Sequence, residues 1–199
     1  MAIQAEIEAK FLDIDHERMR NTLSQLGAIC VQPSRLMRRK TYDFPDDRLR
    51  TENTGWVRVR DEGNKVTLSY KQQDDHSFLG TKEVSLDVDS FDEADIFLQA
   101  VGLVQKGYIE TKRESWELDG AEIELDEWPW VKPYIEIEAK TEDNVQSVAK
   151  KLGLDWSSVC HGSIDTVYMN EYNLTEADFD KWPEIIFSPV PQDLEAMRK

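Results

Sequence analysis

The chain is short of cysteine, histidine, positive charge and long apolar runs, and each shortage narrows what it can be. Its two cysteines, Cys30 and Cys160, are far apart and form no Cys-x-x-Cys pair. That usage fits a reducing compartment and argues against a redox centre or a structural zinc site. Three scattered histidines, His16, His76 and His161, offer no imidazole metal cluster. No segment approaches the roughly 20 apolar residues of a membrane-spanning helix. Met1-Ala2-Ile3-Gln4-Ala5-Glu6 has no basic stretch leading into an apolar run, so the expectation is a cytoplasmic protein with no secretion signal and no membrane partner. A net charge of −16 disfavours nucleic acid, whose phosphates attract positive surfaces. The charge is uneven, however. From Arg35 to Lys71 there are ten Lys or Arg against six Asp or Glu, which suggests a local anion site and not a basic coat.

What is present is a globular composition and a dominant period of two. With 199 residues, 40% hydrophobic and 32% charged, the chain suffices for one sizeable domain. Strands are expected at 3–12, 35–43, 47–51, 56–60, 65–71, 80–88, 107–118, 121–127 and 133–140, with Glu62-Gly63-Asn64 as a hairpin turn. Helices are expected at 15–26, ended by Gly27, at 91–101, capped by Ser90 with Glu93, and at 142–152, capped by Thr141. Helical pieces should follow Ser163, one of them capped by Thr175, and the tail from about 188 should be loose. Consecutive strands with short helical detours predict an antiparallel α+β domain.

Residues two apart in a strand share a face. Glu6, Glu8 and Lys10 therefore lie opposite Ile7, Ala9 and Phe11, and the same Glu-Ile-Glu-Ala-Lys recurs at 136–140. Glu122, Glu124 and Asp126 form a third acidic row, Arg58 and Arg60 a basic one, and Thr67, Ser69 and Lys71 a polar one. Taken singly, each row is what any half-solvated sheet carries on its outer face. Jointly they say more. The helices have apolar faces to cover, and the apolar strand faces supply the surface, so in a closed sheet the charges would line the interior. Carboxylate oxygens suit hard cations such as Mg²⁺ or Mn²⁺, and Arg and Lys suit phosphate oxygens. Both sets together imply a complex of a metal with a polyphosphate.

At this point the sequence resembles the CYTH superfamily, the triphosphate tunnel metalloenzymes, which include class IV adenylate cyclases, thiamine triphosphatases and inorganic triphosphatases. The resemblance rests on Glu6-x-Glu8-x-Lys10, then Thr41-Tyr42-Asp43-Phe44-Pro45-Asp46, Trp56-Val57-Arg58-Val59-Arg60 and Thr67-Leu68-Ser69-Tyr70-Lys71. Lys112-Arg113-Glu114-Ser115-Trp116 follows, then Glu124-Leu125-Asp126 ahead of Glu136-Ile137-Glu138. It implies an eight-stranded closed antiparallel β-barrel with peripheral helices over residues 1–172, and leaves 173–199 as a C-terminal helical extension and tail without a functional reading. It also implies metal ligands at Glu6, Glu8, Glu136 and Glu138, with Glu124 and Asp126 as unranked additions. Arg58, Arg60, Lys71, Lys112 and Arg113 would bind the triphosphate, and Lys10 with Tyr42 would activate or orient the attacking water. Crowding of Lys10 by other cations would lower its pKa for that role.

Two positions depart from the family pattern: Thr81 stands where an Arg commonly precedes Glu83, and Lys112 is out of phase with Arg113. Trp116, Trp128 and Trp130 read as packing aromatics in preference to a base-stacking platform, and Cys160-His161 as structural. The leading expectation is metal-dependent hydrolysis of inorganic triphosphate, a nucleoside triphosphate or thiamine triphosphate. The alternatives are a cyclase making cyclic AMP and pyrophosphate from ATP, a non-catalytic polyphosphate or nucleotide-binding module, and a barrel that binds basic peptides. The expected partner is a small-molecule triphosphate, and a homodimer is compatible with the sequence.

Overall fold

The computed structural model describes residues 7–73 and 81–199. The described residues form nine strands and six α-helices, in the order β1 (Ile7–Leu12), α1 (His16–Gln25), β2 (Ile29–Asp43), α2 (Arg48–Asn53), β3 (Gly55–Asp61), β4 (Val66–Gln73), β5 (Thr81–Val88), α3 (Phe91–Ala100), β6 (Val104–Leu118), β7 (Ala121–Glu127), β8 (Tyr134–Ala139), α4 (Glu142–Lys151), α5 (Ile164–Glu171), β9 (Glu184–Ile185) and α6 (Gln192–Glu195). Among the described residues, no helix is long and apolar enough to cross a membrane.

The chain forms two compact units, and β2 and β6 each contribute to both. One unit contains Leu36–Thr111 and Phe179–Ile186. Its antiparallel order is β2-β3-β4-β5, with β9 pairing in parallel to β6. Register sets Arg58 opposite Thr41 and Ser69, Arg60 opposite Arg39 and Thr67, and Lys71 opposite Trp56 and Glu83. The other face carries Val57, Val59, Val66 and Leu68, which pack with Phe91, Ala94 and Leu98 of α3. Gly55 opens β3 where a Cβ would stand 3.0 Å from the Lys71 carbonyl and 2.8 Å from the Tyr70 hydroxyl, so the bare backbone lets β3 and β4 meet there.

The second unit contains Gln4–Arg35, Lys112–Asp178 and Phe187–Lys199. Its order is β1-β8-β7-β6, all antiparallel. Ala9, Phe11, Ile123, Leu125, Ile135 and Ile137 form the covered face, against Met19 and Leu23 of α1 and Val145, Val148 and Ala149 of α4. Six of these, Leu23, Ile123, Ile135, Ile137, Val145 and Val148, are wholly removed from water. At about 25 cal/mol per Å² of apolar area, each such side chain is worth roughly 1.5–3 kcal/mol of gross burial. The helix boundaries follow their caps. Asp15 accepts from Glu17 and Arg18 N–H, Ser90 from Glu93 and Thr141 from Asn144.

Three expectations need correction. The described ladders show a mixed α+β fold with an antiparallel sheet, and among the described residues no pairing of β1 with β5 closes it into the eight-stranded barrel. Alternation fixes which face is polar but carries no information about whether edges meet. Residues 47–51 begin a helix and not a strand. The buried Asp43 carboxylate accepts from Leu49 N–H at 3.0 Å and Arg50 N–H at 3.0 Å, anchoring the first turn of α2. The tail is not loose. Leu194 is fully buried, and Asn173 and Lys199 N–H donate to Met197 and Glu171 carbonyls.

Candidate active site

The polar face of β1, β8, β7 and β6 gathers a dense group of charges. Register aligns Lys10 with Glu136 and Glu8 with Glu138, Glu124 with Glu136, and Arg113 with Asp126. The Lys10 ammonium, on a side chain only 5% exposed, lies 2.6 Å from Glu8 and 3.0 Å from Glu136. Arg113 forks onto Asp126 at 2.7 and 2.6 Å and reaches Glu136 at 3.1 Å. Asp126 is thereby fully engaged. Glu124 is different, because its buried Oε2 meets no hydrogen-bond donor.

The electrostatics follow from this crowding. Burial pushes Glu8 up to about 7, helped by a shared hydrogen bond and repulsion from Glu136 and only partly offset by Lys10. Burial also raises Glu124 to about 7, against the pull of Arg113. Glu136 keeps its charge: burial opposes ionisation, but Lys10, the hydrogen bond from Glu8 and Arg113 hold it low. Burial opposes the charge on Lys10 as well, and Glu136 and Glu8 outweigh it, so the ammonium is held above the ordinary lysine range. That overturns the premise of a cation-crowded Lys10 with a lowered pKa. Its neighbours are carboxylates.

The other unit carries the cationic set. Arg58, 9% exposed, lies 3.4 Å from Glu83, and Lys71 lies 2.8 Å from the same carboxylate. Arg60 bonds Glu62 at 2.9 and 2.5 Å. Burial and the guanidinium of Arg58 lower the Lys71 pKa, Glu83 opposes that, and Arg60 adds to it. Cation crowding therefore acts on β4 and not on β1. Tyr42 is fully buried in the apolar cluster beneath α3, and its hydroxyl donates to Asp95 at 2.9 Å.

A family model described as the CYTH domain matches residues 4–159. The chain belongs to the CYTH domain family. Solved structures of the same fold accompany this CYTH chain. A conserved hypothetical protein from Pyrococcus furiosus is 22% identical at a TM-score of 0.63, covering 81% of this chain and 99% of its own. An adenylate cyclase candidate from Vibrio parahaemolyticus is 16% identical at 0.69, covering 84% and 99%. An adenylyl cyclase candidate from Hippeastrum, described as having a dominant triphosphatase activity, is 16% identical at 0.56, covering 90% and 97%. No curated protein matches the chain.

Of the residues expected from the sequence, the CYTH chain brings Glu8, Lys10, Arg113, Glu124, Asp126 and Glu136 onto one face, with Glu138 paired to Glu8 and Glu122. Glu6 lies outside the described residues. Lys112 does not join them. It pairs with Glu127, one residue out of phase with Arg113 and Asp126, and so lies on the opposite face. Arg58, Arg60 and Lys71 share a face in their own unit, and Thr41, Arg39 and Glu83 belong to it too. Arg39 and Glu83 were missed as site residues. Phase with Thr41 and Ser85 was the signal that could have found them.

The donor set of the acidic face fits a hard divalent cation. It offers oxygen only, it forces two glutamates to share a hydrogen bond, and it buries a carboxylate oxygen with no donor. Among the described residues, no three His, Cys, Asp or Glu side chains already converge in ligand geometry. The Lys10 ammonium, in contact with both Glu8 and Glu136, takes part of the role a cation would play.

Proposed function

We propose that the chain hydrolyses a phosphoanhydride bond of a triphosphate compound (inorganic triphosphate, a nucleoside triphosphate or thiamine triphosphate) with Mg²⁺ or Mn²⁺. The observation that carries this reading is the acidic face. Glu8 and Glu136 share one ammonium, Glu124 lies opposite Glu136 on the next strand, and Glu8 and Glu124 are pushed up to about 7, an arrangement that a divalent cation would relieve. Glu8, Glu124, Glu136 and Glu138 would hold the metal, joined by Glu6. Glu124 is favoured over Asp126, which Arg113 already occupies with two hydrogen bonds. The bound metal would supply charge neutralisation for the phosphate oxygens.

The remaining roles belong to the protein's cations. Arg58, Arg60 and Lys71 present guanidinium and ammonium donors suited to phosphate oxygens. Arg113, bonded to Asp126 and Glu136, fixes the carboxylates and adds positive charge beside them. Lys10 stays protonated, so it orients the attacking water and does not deprotonate it. Water oxygen bonds to phosphorus as the bond to the bridging oxygen breaks, and the proton that the water gives up is carried off by the phosphate products. Charge growing on the leaving oxygen is met by fixed cations and not by reorganising solvent. Tyr42 has no part in this scheme, because its hydroxyl is committed to Asp95.

The test is to incubate purified protein with inorganic triphosphate, ATP and thiamine triphosphate, with Mg²⁺, Mn²⁺ or EDTA, and to quantify orthophosphate, pyrophosphate and cyclic AMP together. Metal-dependent orthophosphate is the expected result, and the fastest substrate names the specificity. Glu136→Gln should abolish metal-dependent turnover, and Arg58→Ala should mainly raise KM. Pyrophosphate with equal cyclic AMP would replace the reading with a cyclase. No product from any substrate would leave only a binding module.

A further inference from the structure

A cleft of about 460 Å³ opens between the β7–β8 loop and residues 187–189. Its walls include Trp128, Pro129, Trp130, Phe187 and Pro189, with Glu127 among the lining residues. All belong to one unit, and residues 187–189 lie beyond the stretch that matches the family model. The cleft is separate from the acidic face, since Glu127 and Lys112 are out of phase with Asp126 and Arg113. Nothing in the proposed hydrolysis uses it.

Hydrogen bonds tie the walls to their surroundings. Trp130 adopts a left-handed φ of 69°, and its indole N–H donates to the Ser188 carbonyl at 3.2 Å. The Tyr168 hydroxyl donates to the Pro129 carbonyl at 2.7 Å, and the Tyr172 hydroxyl to that of Trp130. Phe187 is 38% exposed, and the Lys112 ammonium stands 4.6 Å over its ring while also lying 3.4 Å from Glu127. Indole, phenyl and proline rings make flat walls that lose little side-chain freedom when something stacks on them. The Lys112–Glu127 pair supplies a donor and an acceptor beside the cleft. An aliphatic ligand would bury that pair against nothing polar, whereas a ring with polar edges can bond both members.

We propose that this cleft is a second binding site, taking a planar heteroaromatic ring with hydrogen-bonding edges, as in a nucleobase or a thiamine pyrimidine. The ring stacks on the aromatic walls and turns its polar edge toward Glu127 and Lys112.

The experiment uses the full chain in EDTA, so that it stands apart from triphosphate turnover. Adenosine and thiamine, neither carrying phosphate, are titrated in separate arms while tryptophan emission is followed, and saturation-transfer NMR reports which ligand protons touch the protein. Saturable quenching with transfer to ring protons is expected from at least one arm, and that arm names the source of the ring. Phe187→Ala, at an exposed position, should weaken binding about fivefold or more, the order expected for loss of a stacking partner. Glu127→Gln should weaken it in the same arm. Linear, unsaturable quenching in both arms would overturn the proposal, as would equal affinity in wild type and Phe187→Ala, or displacement of the ring by inorganic triphosphate.

Discussion

Tyr42 stands on β2 with its ring fully buried, and its surroundings suit a structural tie. Its hydroxyl donates to Asp95, which also accepts from Lys40 and from Gln99 at 2.6 Å, so β2 is tied to α3 by one carboxylate. Burial first, and then the hydrogen bond and negative charge of Asp95, raise the tyrosine pKa. The sign of the linkage is definite. A phenol whose folded pKa exceeds its unfolded value of about 10 stabilises the fold fully below that pH. The contribution is lost as pH rises toward the folded value. Wild-type protein should therefore lose thermal stability steeply above about pH 10, with Tyr108 and Tyr172 contributing in the same direction. Tyr42→Phe should cost about 1 kcal/mol at neutral pH through the lost hydrogen bond and flatten that alkaline decline. Its kcat should stay at the wild-type level. An unchanged alkaline slope in unfolding experiments, or a large fall in kcat, would return Tyr42 to the chemistry.

At the scale of elements, the β7–β8 loop and the C-terminal segment depend on one another. The Tyr172 hydroxyl donates to the Trp130 carbonyl, Arg198 donates to that hydroxyl at 2.7 Å and pairs with Glu171 at 3.0 Å, and Glu171 accepts from Lys132 N–H. Tyr172→Phe strands the Trp130 carbonyl and an arginine donor together, a loss of about 1–3 kcal/mol. For a chain of this size the melting temperature should fall by about 2–4 °C per kcal/mol, read by calorimetry or circular dichroism. An unchanged melting temperature would mean that water replaces the hydroxyl without loss. None of this was legible in the sequence, because the partners of Tyr172 stand 42 and 26 residues away in the chain. What was legible is local. The caps at Ser90 and Thr141 and the phase of Glu8-x-Lys10 and Glu136-x-Glu138 each depend on residues two to four apart, and each is where the sequence reading put it. The reading failed at α2 because its N-terminal N–H groups are met by Asp43, outside the window in which a strand pattern is judged. It failed on Lys10 because phase shows which side chains share a strand face but not which neighbouring strand supplies their partners. That partner is β8, 126 residues away by the Lys10–Glu136 pairing.

For the molecule as a whole, the excess of negative charge is the governing term. At −16 the chain repels itself, and its described acidic face sets Glu8, Glu124, Asp126 and Glu136 on neighbouring strands, where that repulsion is concentrated. Two effects of added cations should therefore be separable. Monovalent salt screens charges beyond a Debye length of about 8–10 Å and should raise the melting temperature gradually and without saturation at low millimolar concentration. A divalent ion held by Glu8, Glu124, Glu136 and Glu138 stabilises by mass action instead, by about 2.7 kcal/mol at one hundred times its dissociation constant. In a chain of this length that is a rise of roughly 5–10 °C. Thermal unfolding in Mg²⁺ or Mn²⁺ against NaCl at matched ionic strength isolates the second effect. Glu136→Gln should remove it and leave the response to NaCl intact, because one charge in sixteen hardly alters screening whereas one ligand alters the site. Equal shifts for divalent and monovalent salt in the wild type would reduce the acidic face to a solvated surface and remove the metal from the proposed reaction.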